Sequence, residues 1–434
     1  MHKPTAILYG LVLLAFTILP AEVVSNEARR ELHGAVQTIY QEGVPHTDRM
    51  GRLMFRYQNG KSFFPIALYH SLTGRHKGHD YSFQQIASAG FNTIHPWEGQ
   101  RLEAIIADAR ANRLQVIFHH PTNSEVKRFA NDPNILAWYL EEEPTGLFPK
   151  EAIYDKLAAF NKRVAEIRSV DRIHPIFPLD RPILKGREAD WKVWASIGDV
   201  SSHFHYPITG QKTASLATPK DFPASISRAV ELNAQKRPLW MVLQAFTKPT
   251  ERWTMPSPAQ LRAMTYASLI HGATGIIFFA FDSFVTRDGA VVGMAPNPIN
   301  RHRALTKRPP LEATNAQLTK SRALWSETKK INGEMKKLTP LILLPTSKRK
   351  LRVFISGKSV SEVPVRVIIK ESENQIYVIA ANLDETALEA EFQLAKSPKS
   401  VSVEFTYSAK PKTTAKGWSE KLEGFATRVY RVTP

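Results

Sequence analysis

Ile135-Leu136-Ala137-Trp138-Tyr139-Leu140-Glu141-Glu142-Glu143-Pro144 passes from unbroken apolar side chains into three carboxylates and a proline. The apolar part has the length and content of a strand buried on both faces, as in a parallel sheet, and the proline ends it. Three adjacent acids at a strand tip repel one another, which raises the pKa of at least one. A general acid working near neutral pH needs that shift. A solvated acidic turn has the same local appearance, so the surrounding sequence decides between the two.

Outward from this stretch, short apolar runs alternate with amphipathic segments. The runs are Phe63 to Tyr69, Phe91 to His95, Leu114 to His119, Ile135 to Leu140, Ile173 to Leu179, Val200 to Tyr206, Leu239 to Phe246 and Gly275 to Phe281. Helix-like stretches separate them, among them Arg101 to Ala111, Lys150 to Ser169 and Pro258 to His271, and Glu312 to Lys336 follows the last run. Strands alternating with helices of this length imply βαβ units and a parallel sheet. Eight units make an α/β fold of the (β/α)8 type, a TIM barrel. A doubly wound sheet would carry a Gly-rich phosphate loop after its first strand. Here that strand runs into Tyr69-His70-Ser71-Leu72-Thr73-Gly74, which does not match, and no Walker loop occurs.

Beyond Lys336 the pattern changes to short, often alternating runs: Leu351 to Ile355, Val365 to Ile369, Ile376 to Ala380, Leu388 to Leu394, Val401 to Thr406 and Phe425 to Val432. They indicate a small C-terminal all-β sandwich domain over 339–434, with Leu338-Thr339-Pro340 as the junction. The barrel is assigned to 59–338, a lead-in to 26–58 and a signal peptide to 1–25. Met1-His2-Lys3 is a short basic start, Ala6 to Leu19 an apolar core, and Pro20-Ala21 and Ser25 offer small residues for cleavage. The apolar core is short for a membrane span, which needs about 20 residues, and no integral membrane domain is expected beyond this segment.

The chain has 434 residues, 43% of them hydrophobic, enough for a large core and a second domain. It contains no cysteine, which excludes disulfides, thiol chemistry and Cys-ligated zinc. A leader without cysteine fits an exported bacterial protein, periplasmic or extracellular. The net charge of +18 is spread over dispersed clusters such as Lys348-Arg349-Lys350 and Arg301-His302-Arg303. No zinc-finger or RNA-recognition signature accompanies them, so a nucleic-acid partner is not expected.

Active sites of such barrels lie at the C-terminal ends of the strands. Here those ends carry Tyr69-His70, His95-Pro96-Trp97-Glu98, His119-His120, Glu141-Glu142-Glu143, Asp180-Arg181, His203-Phe204-His205-Tyr206, Gln244 and Asp282. Polar groups from all eight strands therefore converge on one rim.

At these positions the chain resembles the clan A glycoside hydrolases, the cellulase-like (β/α)8 retaining enzymes. Their fourth strand reads Trp-x-Leu-x-Asn-Glu-Pro, and Trp138-x-Leu140-x-Glu142-Glu143-Pro144 is similar except at the Asn. Asn59-Gly60-Lys61-Ser62-Phe63-Phe64, Gly90-Phe91-Asn92-Thr93-Ile94, His205-Tyr206 and Arg237-Pro238-Leu239-Trp240 resemble their first, second, sixth and seventh strands. The resemblance covers Asn59 to Asp282, and its order along the chain is more specific than any single motif. It implies a carbohydrate substrate, no cofactor, no metal, and Glu143 as the general acid/base. His70, Trp97, His119, His205, Tyr206 and Gln244 are the candidate sugar contacts.

Two departures alter that assignment. Glu142 replaces the sugar-binding Asn, and the seventh strand ends in Gln244 where a nucleophilic Glu is expected. An amide cannot form the glycosyl ester. Asp180 or Asp282 can supply the second carboxylate, with inversion if the separation is wide. Alternatively, Glu142 and Glu143 act as a pair on a substrate whose own acetamide attacks, or the barrel binds glycan without cleaving it. The long loop Ser283 to Pro310 carries Arg287, Arg301, Arg303, Lys307 and Arg308, and folded over the rim it would favour an anionic sugar. His119-His120 and His203-x-His205 invite a metal reading, but adjacent strand residues point to opposite faces, so each His is read as a hydrogen-bonded rim residue and no metal is expected.

Overall fold

The computed structural model describes residues 63–434 apart from 72–73, 77–78, 97–101, 148, 150–151, 182–185, 211–215, 217–221, 233–236, 287, 297–312, 345, 356–363 and 406–410. The expected signal segment, the lead-in, Trp97 and the basic residues Arg287, Arg301, Arg303, Lys307 and Arg308 lie outside the described residues.

Strand β1 (Ile66–Ser71) leads into a short hairpin, β2 (Gly74–His76) and β3 (His79–Tyr81). The main sheet continues with β4 (Thr93–Pro96), β5 (Gln115–His119), β6 (Ile135–Glu142), β7 (Ile176–Leu179), β8 (Ser201–His205), β9 (Leu239–Gln244) and β10 (Gly275–Phe279). All pairs between them are parallel, in the order β7-β6-β5-β4-β1-β10-β9-β8. A parallel bridge between Asp180 and His203 joins the two free edges and closes the barrel.

Side-chain alternation builds two concentric layers. Ala67, Tyr69, Ile117, Tyr139, Phe177, Phe204, Trp240, Val242 and Ile277 fill the barrel interior. Their neighbours Leu68, Val116, Phe118, Trp138, Met241, Leu243, Ile276 and Phe278 face outward and pack beneath the helices. Gly275 is required at its position because a Cβ there would lie 2.6 Å from the Trp240 ring. Helix starts follow a signal visible in the sequence: Ser82, Thr122, Ser257 and Thr314 each form a capping box with Gln85, Glu125, Gln260 and Gln317.

After β10 come the hairpin β11 (Phe284–Thr286) and β12 (Gly289–Val291), and then a long helix, Asn315–Ile342. The expected junction at Leu338-Thr339-Pro340 is instead inside this helix. Pro340 removes one backbone donor, but Leu338, Leu341 and Ile342 keep the buried face in phase, so packing carries the helix past it. The Lys370 ammonium then binds the carbonyl of Leu344 at 2.6 Å, satisfying an acceptor just beyond the helix end.

The C-terminal part is a sandwich of two four-stranded sheets. Its strands are β13 (Leu351–Ile355), β14 (Val365–Ser372), β15 (Gln375–Asn382), β16 (Leu388–Leu394), β17 (Ser400–Val403), β18 (Lys412–Thr414), β19 (Gly417–Leu422) and β20 (Thr427–Thr433). One sheet runs β13-β16-β19-β18 and the other β14-β15-β20-β17. Val367, Ile369, Val378, Phe392, Trp418 and Tyr430 form the core between them. The opposite face of the second sheet, with Ile368, Ile379, Ala381 and Val429, joins the barrel core. Strand β19 escaped the sequence reading because one of its inward positions is a charge, and β18 because it is three residues long and has no buried position. Glu420 alternates with Trp418 and Leu422 and is buried against Arg428 at 2.5 Å and Tyr430 at 2.8 Å.

Beneath the acidic tip, Trp138 is fully buried and its indole N–H donates to Asp171 at 2.7 Å. The same carboxylate meets the His174 ring at 2.7 Å and accepts from the Ile173 and His174 amides. Replacing Asp171 by Ala strips these donors of their acceptor. The expected loss is about 3 kcal/mol, read as a lower urea midpoint. An unchanged midpoint would show that the cluster does not hold the strand.

Candidate active site

The barrel mouth is built around β6. Against β7 its register slips between Tyr139 and Glu141: Tyr139 pairs with Phe177 and Glu141 with Pro178. Leu140 is thus an extra residue, a β-bulge. Tyr139 points into the barrel, so strict alternation would send Glu141 inward and Glu142 outward. The bulge reverses this, and Glu142 comes to lie beside the inward-facing Leu179. Glu143 follows with a left-handed φ of 48° and its N–H bound to the Leu179 carbonyl at 2.7 Å. A non-glycine residue in that region costs on the order of 1 kcal/mol and is enriched at functional sites.

A tyrosine pair supports Glu142. The Tyr69 hydroxyl lies 3.3 Å from Glu142 Oε1 and 3.3 Å from the Tyr139 hydroxyl. Donation from Tyr139 to Tyr69 and from Tyr69 to Glu142 uses each hydrogen once. Burial, and then the negative charge of Glu142, raise both phenols well above their ordinary pKa. Tyr206 is raised by burial first and then by Glu143 and Glu142, with Glu143 the larger of the two. Glu142 therefore faces the Tyr69 side of the mouth, and the charges of both glutamates reach Tyr206. The raised pKa expected at the acidic tip is found at Glu141, where burial is the main cause.

Histidines floor the site as neutral groups. His95 stacks on Tyr69 with centroids 4.1 Å apart, and His119 stacks on Tyr139 at 4.2 Å. Burial lowers His95 to about 3 and His119 to about 2. His70 occupies a second register slip, between β1 and β4, with φ 56°. Its ring is buried against Phe279 and Phe284.

Several sequence-derived candidates occupy other places. His205 was expected to contact sugar, but Phe204 takes the inward face and alternation turns His203 and His205 outward. Both rings meet the Ser225 hydroxyl on the helix Phe222–Leu232, at 2.9 and 3.0 Å. The histidine pairs 119/120 and 203/205 consequently do not share a space. Among the described residues no group of three His, Asp or Glu side chains comes together to hold a metal. Gln244 is fully buried, and its amide is consumed by backbone: Nε2 donates to the Ile208 and Thr254 carbonyls, and Oε1 accepts from the Ile208 N–H, each at 2.9 Å. It fastens a loop and presents nothing to a sugar.

Asp180 is 2% exposed. It accepts from the Thr145 N–H at 3.3 Å, from the Thr145 hydroxyl, and from the Arg181 N–H at 2.9 Å. These bonds hold the turn that follows Glu143 and leave no face for attack on a sugar carbon. Burial raises Asp180 to about 7, opposed by those bonds and assisted by the charge of Glu143. Asp282, 2% exposed, accepts from the Ser283 N–H at 2.7 Å. Neither aspartate is presented to substrate as a second carboxylate. Tyr69 and Thr145 were missed as functional residues because only the folded register brings them to β6 and β7.

No protein-family model matches the chain, and no curated protein matches it. Solved structures match over the barrel and the tail together. An α-amylase from H.orenii aligns with TM-score 0.51 at 8% identity, covering 85% of this chain and 99% of that one. An α-amylase from Geobacillus thermoleovorans, complexed with acarbose, gives TM-score 0.49 at 11% identity over 85% and 98%. A GH42 β-galactosidase from G. stearothermophilus gives 0.49 at 8% over 81% and 95%. The chain shares its (β/α)8 barrel fold with the α-amylase from H.orenii.

Two outcomes follow from the geometry. Gln244→Glu puts a carboxylate against two carbonyl oxygens in a fully buried place. It is expected to lose about 3 kcal/mol, seen in the urea midpoint, and to gain no hydrolysis; a variant as stable as the wild type would refute this placement. Asp180 has a folded pKa above its unfolded value. Its contribution is complete below about pH 4 and is lost as pH rises through about 7. The stability of wild type minus that of Asp180→Asn should therefore fall over that window, by at most about 1.4 kcal/mol per pH unit. A flat difference between pH 4 and 7.5 would rule out the raised value.

Proposed function

We propose that the protein is a glycoside hydrolase with Glu143 as proton donor and Glu142 as its anionic partner. The observation that carries this reading is the bulge at Leu140, which brings two consecutive carboxylates to the C-terminal mouth of a (β/α)8 barrel. Glu143 gives its proton to the glycosidic oxygen as the bond to the anomeric carbon breaks. Glu142, steadied by the Tyr69 hydroxyl, faces the positive charge that develops on the sugar ring. Neutral His95 and His119 line the floor of the mouth without adding charge. With Gln244, Asp180 and Asp282 all engaged elsewhere, Glu142 also has the role of orienting a nucleophile, either a water or a substrate acetamide. The pattern of 1–25 supports an exported location, which detection of the processed chain in a periplasmic or culture fraction would test.

The deciding experiment is hydrolysis of a polysaccharide and oligosaccharide panel by wild type and Glu143→Gln. The variant should lose at least about a hundredfold in kcat, the usual worth of a positioned acid, while its urea midpoint stays close to that of the wild type. Unchanged cleavage by the variant would remove Glu143 from the mechanism. Binding without cleavage by the wild type would favour a glycan-binding barrel.

A further inference from the structure

Arg181 follows Asp180 at the tip of β7 and has no role in the proposed chemistry. Its guanidinium lies 5.5 Å from the centroid of the Phe204 ring, which belongs to the barrel interior. The side chain thus reaches from the tip of β7 to the neighbouring strand β8. Its positive charge acts on Tyr206 together with the negative charges of Glu143 and Glu142, so all four groups share one electrostatic neighbourhood. Nε of Arg181 is shielded from solvent and has no hydrogen-bond partner among the described residues.

Shielded guanidiniums elsewhere in the fold are matched by acids. Arg262 meets Glu327 and Glu334, each at 2.6 Å; Arg428 meets Glu420 at 2.5 Å; and Arg168 meets Asp199. A desolvated guanidinium donor without an acceptor is costly, and the cost is relieved when an anion arrives. The planar fork of arginine fits a carboxylate through two parallel N–H bonds, which a lysine cannot imitate. Phe204 offers an apolar surface beneath, which strengthens such a bond by excluding water. Anionic Glu142 excludes a second anion from its own side of the mouth, so a charged sugar is oriented with its carboxylate on the β7–β8 side.

We propose that Arg181 is a specificity residue that takes the carboxylate of a uronic-acid-containing glycan at the barrel mouth. This rests on the glycosidase reading above and names its substrate class. The net charge of +18 acts in the same direction by drawing polyanionic chains to the protein.

The test is calorimetric binding of short oligogalacturonates and oligoglucuronates, of neutral gluco- and xylo-oligosaccharides of equal length, and of a sulfated neutral oligosaccharide. The full chain is compared with Arg181→Gln and Arg181→Lys, and the melting temperature of each variant verifies folding. Uronic oligosaccharides should bind the wild type at least about tenfold more tightly than neutral ones. Arg181→Gln should erase that preference without weakening the neutral ligands, and Arg181→Lys should restore only part of it. Equal binding of acidic and neutral ligands by the wild type, equal weakening of both in Arg181→Gln, or a preference for the sulfated ligand overturns the proposal. Glu143-dependent cleavage of neutral glycans alone would sink the uronate assignment and keep the hydrolase. Arg181-dependent uronate binding without cleavage would do the reverse.

Discussion

The hydrogen-bond register between β6 and β7 governs the barrel mouth. A parallel sheet with side chains alternating in and out can present only every second residue to its interior. Two consecutive glutamates would therefore be divided between the barrel interior and the layer beneath the helices. The extra residue at Leu140 breaks the alternation at the strand end, and the left-handed turn at Glu143 re-aims the next side chain. What surrounds these two residues follows from that slip. Tyr69 reaches Glu142 because it projects from the inner face of β1, and Asp180 with Thr145 fastens the turn after Glu143. The aromatic and histidine stacks below keep water and mobile charge from weakening the field of the carboxylates.

Much of the fold was legible because burial on both sides of a parallel sheet leaves unbroken apolar runs, and eight of these appear in order. The acidic tip was legible as an edge of the mouth for the same reason. What the sequence hid was the face each residue takes. His205 and Tyr206 are neighbours in a polar segment, yet Phe204 claims the interior and sends His205 to Ser225 on the helix behind. Gln244 ends its strand where the resemblance expects a nucleophile, and its bonds to Ile208 and Thr254 are made through loops that no local pattern describes. Asp180 similarly spends its acceptors on a turn formed by residues far from it in sequence. Pairings of this kind depend on three-dimensional closure, so periodicity does not reveal them.

The C-terminal strands show the same limit. A buried charge inside an alternating pattern, Glu420 between Trp418 and Leu422, reads as a loop until its partners Arg428 and Tyr430 are brought alongside it. A proline in a helix reads as a boundary until the apolar face around it is seen to be covered.

The second sheet of the sandwich is buried on both faces, one against its partner sheet and the other against the barrel, where Ile368, Ile379, Ala381 and Val429 merge with the barrel core. Such a tail is not a portable attachment. Recombination that exchanged it for an unrelated carbohydrate-binding unit would uncover apolar surface on the helix Pro258–Ile270 and on the sheet alike. Barrel and tail must therefore be inherited together, and the surface of the barrel can diverge only as fast as the sheet that covers it.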